Sequence, residues 1–355
     1  MEDTVVGKKE NSLSHLFHCD YLRVFAAFCV IVIHVCAQCW DTFDVNSTEW
    51  LVLNVFEGIT RWAVPVFVMI SGTLLLQKDI PIGEIYSHNI VHILSAFIFW
   101  SVFYCIFNKR TGTDILFYLL VGNHHMWYIA MIIGLYICVP IIRKISESTS
   151  LSIYYLLLWL IFSSVIPFFV DLSAFSGSTA IHTIRAGVTE QLNNMNLGMI
   201  TGYSGFFILG FFLYNQPLSK RKRYLIYFLG ALGACATIVL NVHFSVYMQS
   251  RINGFFDCFA LNILLEAVAV YTWFLYNTQR TTRLNTIMAW VSRHCFGIYL
   301  VHAFVLDLLD HGFGFNSMSF HPVISIPLVS CFVFIISLLL TWLLKKIPII
   351  GKMIT

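Results

Sequence analysis

Apolar residues gather along this chain in long runs divided by short polar stretches, and the runs have the length of a membrane crossing. A membrane helix needs about 20 mainly apolar residues at 1.5 Å of rise each. Such runs lie near 21–39, 57–76, 90–107, 126–142, 153–170, 199–214, 224–242, 257–276, 290–309 and 323–344. The pattern predicts an all-α, polytopic transmembrane helical bundle of about ten spans. Asp114–Val121 is apolar but too short to cross, and reads as a re-entrant or interfacial piece. Two longer polar stretches, Asp41–Glu57 and Asp171–Leu197, read as outer loops. Val64–Gly72, "VPVFVMISG", has a proline and a Ser-Gly pair within an apolar helix, which suits a kink and close helix packing.

Composition agrees with this picture. The chain is 58% hydrophobic and 11% charged, with a mean hydropathy of +0.79, whereas soluble domains carry about 25% charged residues. The net charge of +3 is too small to suggest nucleic acid as a partner. With ten spans, both termini share one side. If that side is the cytoplasm, it receives Lys8, Lys9, Arg23, Lys78, Arg143, Lys144, Lys220, Arg221, Lys222, Arg223, Arg280, Arg283, Arg293, Lys345, Lys346 and Lys352, or 16 of the 21 basic residues. Arg61, Lys109, Arg110, Arg185 and Arg251 remain outside. This excess predicts cytoplasmic termini. No small-residue cleavage site follows the first run, so it is expected to be a retained span rather than a signal peptide. The expected division is a cytoplasmic segment 1–19, a membrane domain 20–345 and a cytoplasmic tail 346–355, with no appended soluble domain and no internal repeat. Of the ten cysteines, only Cys36 and Cys39 form a close pair. With no second pair and no neighbouring ligand residues, packing is the better reading for them than a metal or redox site.

Ionisable groups at membrane depth are costly unless paired or hydrated, so they are candidates for function. The first span, "DYLRVFAAFCVIVIH", carries three. Arg23 and His34 stand eleven residues apart, about 20° beyond three full turns, and so share a face with a rise of roughly 16 Å between them. Asp20 lies within about 40° of that face. Simple snorkelling of Asp20 and Arg23 at the interface is the plain alternative. Further candidates are His124, His125, Trp127 and Tyr128 where span four begins, Glu266 in span eight and His302 in span nine. There is no Walker loop, HExxH, GxSxG or paired-cysteine metal motif, and no metal is expected.

Five blocks, in order, resemble the acyltransferase-3 family of membrane proteins. "DYLRVFAAFCVIVIHV" is similar to the family's first helix with its Arg-x10-His signature, and "RWAVPVFVMISGTLLL" to its second. "HHMWYIAMIIGLYICVPII" resembles the fourth span, while "GFFILGFFL" and "FGIYLVHAFVL" resemble later ones; "KKIPIIGK" looks like a familiar ending. The flavour is that of the surface-polysaccharide O-acyltransferase subgroup, like the enzyme that O-acetylates enterobacterial common antigen. The resemblance implies an enzyme of the bacterial cytoplasmic (inner) membrane that takes an acyl group, acetyl foremost, from cytoplasmic acyl-CoA. It would deliver that group to a hydroxyl of a cell-surface or lipid-linked glycan.

On this reading acyl-CoA is the co-substrate, the glycan and membrane lipids are the partners, and His34 is the base. Arg23 meets the donor, Asp20 holds Arg23, and His125, Trp127, Tyr128, Glu266 and His302 lie on the acceptor side. A covalent acyl-histidine variant stays open. Where the family carries a basic cluster suited to CoA phosphates, this chain reads "IYSHNIVHIL". Either His88 and His92 take over, or the contacts come from Arg143, Lys144 and the 220–223 loop with Arg221 and Arg223. The rival class is a transporter or flippase for glycans or lipid-linked sugars, in which the same buried groups relay protons; the missing inverted repeat counts against it.

Overall fold

Ten helices long and apolar enough to cross a membrane match the ten expected runs in a computed structural model that describes residues 15–278, 283–348 and 351. The spans, numbered 1 to 10, are Phe17–Ala37, Thr48–Leu76, Ile82–Phe107, Thr113–Ser146, Thr149–Ser173, Leu197–Asn215, Lys220–Met248, Gly254–Asn277, Cys295–Phe313 and Pro322–Leu344. Among the described residues there is no strand. Lys8, Lys9, Arg280 and Lys352, counted above toward topology, lie outside the described residues, as do most of the 1–19 segment and of the 346–355 tail. Span 1 begins at Phe17, so the boundary drawn after residue 19 falls inside a helix.

Two expected loops are helical instead. Within Asp41–Glu57, the Ser47 hydroxyl accepts a hydrogen bond from the Trp50 amide at 3.1 Å and caps a helix over Thr48–Gly58. Trp50 and Leu53 then bury completely, which the stretch's polar residues conceal. Asp171–Leu197 contains a helix over Thr179–Met195 with no buried residue, outside the bundle core. Thr113–Val121 is a helix with no buried residue, set off from the rest of span 4 at Gly122 and Asn123.

The break in span 2 falls at residues 59–62, one turn before Pro65. A proline lacks the amide proton and its ring clashes with the carbonyl four residues back, here that of Arg61. Thr60 and Trp62 side chains donate to the Phe56 and Ile59 carbonyls at 2.7 and 2.8 Å, satisfying part of the broken ladder. Beyond the break, Gly72 faces the Phe207 backbone and Gly210 the Met69 backbone. A Cβ at either position would lie 1.8 or 2.1 Å from the facing carbonyl oxygen. Spans 2 and 6 therefore cross in direct backbone contact, as small residues allow within membranes.

Span 1 packs against spans 2, 8, 9 and 10 and against a short helix over Arg283–Ser292. That central place is why its ionisable stripe meets protein rather than lipid. Its first half belongs to one apolar cluster, with Leu22 joined by Met69, Phe207 and Tyr271, and its second half to another, with Ile31 joined by Trp50, Trp100 and Ile298.

Candidate active site

The face shared by Arg23, Val30 and His34 opens onto one cavity of about 430 Å³. Phe67 and Ser71 of span 2, His92 of span 3, and His125, Trp127, Tyr128 and Tyr136 of span 4 line it. Arg293, Phe296 and Tyr299 close it from the span 9 side. The cavity runs from the end where span 1 starts to the depth of His34.

Local chain geometry brings the paired histidines inward. Gly122 adopts φ +78°, and a Cβ there would sit 2.9 Å from the Phe97 ring, so only glycine fits this turn comfortably. Asn123 then caps the next turn, its side-chain oxygen accepting from the His124 amide at 2.8 Å. The resulting 3-10 turn, His124–Met126, buries His125. Ring centroids lie 5.5 Å apart for His34 and His124, 6.4 Å for His34 and His125, 5.0 Å for His34 and His302, and 5.1 Å for His125 and His302. Four imidazoles so close can pass protons, but like charges at this spacing repel.

Hydrogen bonds hold this cluster in place. His302 Nδ1 lies 2.6 Å from the Tyr299 carbonyl, which can only accept, so Nδ1 carries the proton and Nε2 is left as an acceptor. Neither His302 Nε2 nor either nitrogen of His125 has a protein partner. Tyr299 donates to the His125 carbonyl at 2.6 Å. The Tyr104 hydroxyl donates to the Leu300 carbonyl at 2.8 Å and accepts from the Phe304 amide at 3.1 Å. It thus enters the backbone ladder of span 9 around His302, a recognised cause of local helix distortion.

The mouth of the cavity is basic. Among the described residues, the ion pairs are His15–Asp20, Arg61–Glu57, Arg143–Asp79, Lys144–Glu147 and Arg251–Asp41, so no carboxylate pairs with Arg23, Arg293 or Lys345. The Lys345 ammonium donates to the Arg293 carbonyl. Burial, and then the Arg293 guanidinium, push Lys345 below its ordinary range.

A family model described as an acyltransferase domain, acyltransferase-3, matches residues 19–345, across all ten spans. The chain belongs to the acyltransferase-3 family. Neither a curated protein nor a solved structure matches it. The protein is therefore a multi-pass membrane acyltransferase, and the transporter reading gives way.

The acyltransferase brings Arg23, His34, His92, His125, Trp127 and Tyr128 onto one cavity, with His302 packed behind His34. The other candidates stand elsewhere. Asp20 does not hold Arg23. A helical Cβ tilts toward the N-terminus, and the Asp20 carboxylate accordingly reaches back to His15. His88 is exposed beside Asn89, with 3.1 Å between their side chains. Arg143 is bound to Asp79 and to the Ile80 carbonyl, each at 3.2 Å. Arg221 is exposed, and Arg223 lies over the Tyr276 ring at 4.4 Å. Both begin span 7, which packs on spans 2 and 8 and contributes nothing to the cavity wall. Glu266 faces a different, open groove beside Trp62 and Trp273.

Arg293 and Tyr104 are the residues of this acyltransferase site that its sequence conceals. Arg293 stands nine residues before His302, about half a turn out of phase on a continuous helix. The chain is not helical at Arg293 and His294, and that break lets Arg293 reach the cavity. Tyr104 belongs to an aromatic-rich run, and nothing in its spacing distinguishes it from its neighbours.

Proposed function

We propose that this acyltransferase moves a short acyl group, acetyl foremost, from cytoplasmic acyl-CoA to a hydroxyl of a cell-surface or lipid-linked glycan. We place it in the bacterial cytoplasmic membrane with both termini inside. Twelve of the sixteen basic residues assigned to the inner side are among the described residues, including the whole cavity mouth, which supports that orientation.

One observation carries the reading: a single cavity joins Arg23 and Arg293, cations without a carboxylate partner among the described residues, at one membrane face to the imidazoles of His34 and His125 at depth. Arg23, Arg293 and Lys345 suit the phosphates of the donor, because cations without carboxylate partners are free to meet anions. The donor's arm then lies along Tyr136 and Phe67, with its thioester near His34. Entering from the other side past Trp127 and Tyr128, the acceptor hydroxyl gives its proton to His34 as its oxygen attacks the thioester carbonyl. An ester C–O bond forms, the C–S bond breaks, and the departing thiolate takes the proton from His34, leaving free CoA. A positioned base of this kind contributes about 10²–10⁴-fold.

The test uses purified full-length protein in lipid nanodiscs, radiolabelled acetyl-CoA and glycans extracted from the host membrane. Label should move into an alkali-labile ester on a saccharide, with one CoA released per ester formed. If acetyl-CoA and succinyl-CoA both fail to acylate any saccharide, the assignment of donor and acceptor is wrong.

A further inference from the structure

A second cavity, of about 180 Å³, lies at the opposite end of the bundle from the basic mouth, between the close of span 5 and the loop that opens span 8. Phe168, Phe175 and Phe255 form aromatic walls, with Phe255 centred 6.2 Å from each of the other two rings. Asp171 and Asp257 also line it, and both residues are exposed. Ser163 lines the same space, is only 5% exposed, and its hydroxyl has no hydrogen-bond partner. It belongs to a π-helical turn, Leu160–Val165, a rare distortion that is frequent at functional sites. A buried hydroxyl without a partner is costly, so a ligand that hydrogen-bonds Ser163 is favoured in this space.

We propose that this cavity is a carbohydrate subsite that holds a non-reacting sugar ring of the acceptor, an inference that rests on the acceptor being a glycan. A sugar ring offers hydroxyl donors around its edge and apolar C–H faces above and below. Carboxylates and a hydroxyl beside phenyl walls answer both. A divalent cation fits poorly, since calcium takes 6–8 oxygens and no group of three or more acidic, histidine or cysteine side chains is placed to hold a metal among the described residues.

Position ties this subsite to the reaction. Phe259, on its wall, packs against Tyr203 with 4.8 Å between centroids. Tyr203 in turn lies 6.0 Å from Trp127, which lines the catalytic cavity. A single aromatic ring therefore separates the two cavities. An acceptor lying across Tyr203 presents one hydroxyl toward His34 while a neighbouring unit occupies the subsite.

The test is saturation-transfer NMR on the full-length protein in nanodiscs, with glucose, galactose, N-acetylglucosamine and the disaccharides cellobiose, lactose and chitobiose as probes. At least one disaccharide should give a saturable signal that His34→Ala protein retains. Asp171→Asn combined with Asp257→Asn, and separately Ser163→Ala, should weaken it roughly tenfold or more. These replacements are nearly isosteric, and unchanged acetyl-CoA binding by the same preparations verifies the fold. The subsite is refuted if no probe binds the wild type or if binding survives both variants. Because binding is read without turnover, failure of acyl transfer itself is scored separately in the radiolabel assay.

Discussion

His302 and Glu266 are both ionisable side chains buried in the bundle, exposed by 0% and 3% respectively, yet they keep different company. His302 belongs to a group of imidazoles in which three ring nitrogens lack partners, packed behind a cavity that opens toward unpaired cations. Glu266 lies where spans 7 and 8 pack together. Its carboxyl accepts from the Thr237 hydroxyl at 2.5 Å, and Asn262 donates to that same hydroxyl and to the Phe255 carbonyl, each at 2.7 Å. Depth alone thus does not separate reacting groups from structural ones. What separates them is the space beside them. The imidazoles stand at the depth of a cavity whose mouth holds Arg23 and Arg293. Glu266, whose second carboxylate oxygen also lacks a partner, lines a groove of Trp62, Tyr227, Trp273 and small residues with no cation on its wall. The cavity side of the molecule is built from spans 1 to 4 and 9.

The largest expected effect tests the cavity side directly. His34→Ala should be inserted at normal level and bind acyl-CoA, while O-acylation of the glycan falls by roughly 10²–10⁴-fold. Glycan mass spectrometry beside a membrane immunoblot measures both. A normal protein level with full glycan modification makes His34 a packing residue and removes the distinction drawn here.

Arginines give the next largest contrast. Arg293→Ala and Arg23→Ala should each raise the KM for acyl-CoA about tenfold, a loss of about 1.4 kcal/mol, with a smaller change in kcat, as expected where binding is uniform between ground and transition states. Arg221→Ala combined with Arg223→Ala, on the span 7 side, should leave KM within about twofold. The reverse ranking would move the donor to the start of span 7.

Much of this was legible in the residues, for physical reasons. Ten runs stood out because a helix in lipid must bond its own backbone and stay apolar over about 20 residues. Arg23 and His34 line one cavity because an uninterrupted helix preserves angular spacing over eleven residues. Elements that depend on tertiary burial were hidden. Thr48–Gly58 looks like a loop until Trp50 and Leu53 find their pockets. Arg293 looks out of phase with His302 because the break between the two helices has no proline or glycine to mark it. Asp20 lies within about 40° of the Arg23 face, yet the tilt of a helical side chain toward the N-terminus gives its carboxylate to His15.

Replacing the carboxyl on the span 7–8 side should cost little. Glu266→Gln keeps an acceptor for Thr237 and should retain turnover within about threefold. Glu266→Ala removes the carboxylate that accepts from Thr237 and leaves a void where spans 7 and 8 pack, and should lower the protein level, with activity per molecule preserved. Activity lost in the glutamine variant at normal protein level would make Glu266 chemical rather than structural, and the two regions would no longer differ.

The smallest expected effect is a pH dependence confined to the mouth. His294 lies outside the spans, its Nδ1 2.8 Å from the Trp290 carbonyl. Burial holds its imidazole below the ordinary value of 6.5, the Trp290 carbonyl opposes that shift, and Lys345 and Arg293 add to it. In the free protein this group therefore takes up its proton only below pH 6.5. A donor phosphate beside Arg293 raises the affinity of His294 for a proton, because an anion favours the charged form. Linkage then requires the donor to bind more tightly as pH falls toward and through 6.5, by less than the tenfold per pH unit that one fully coupled proton allows. Titrating CoA into the His34→Ala protein between about pH 8 and about pH 6 reads this without turnover. Affinity should rise roughly two- to threefold, and His294→Gln should flatten the trend while Arg221→Ala leaves it intact. Affinity that is flat or falls with pH in the unmodified mouth would mean that the phosphates dock away from Arg293, and so on a surface other than this cavity's entrance.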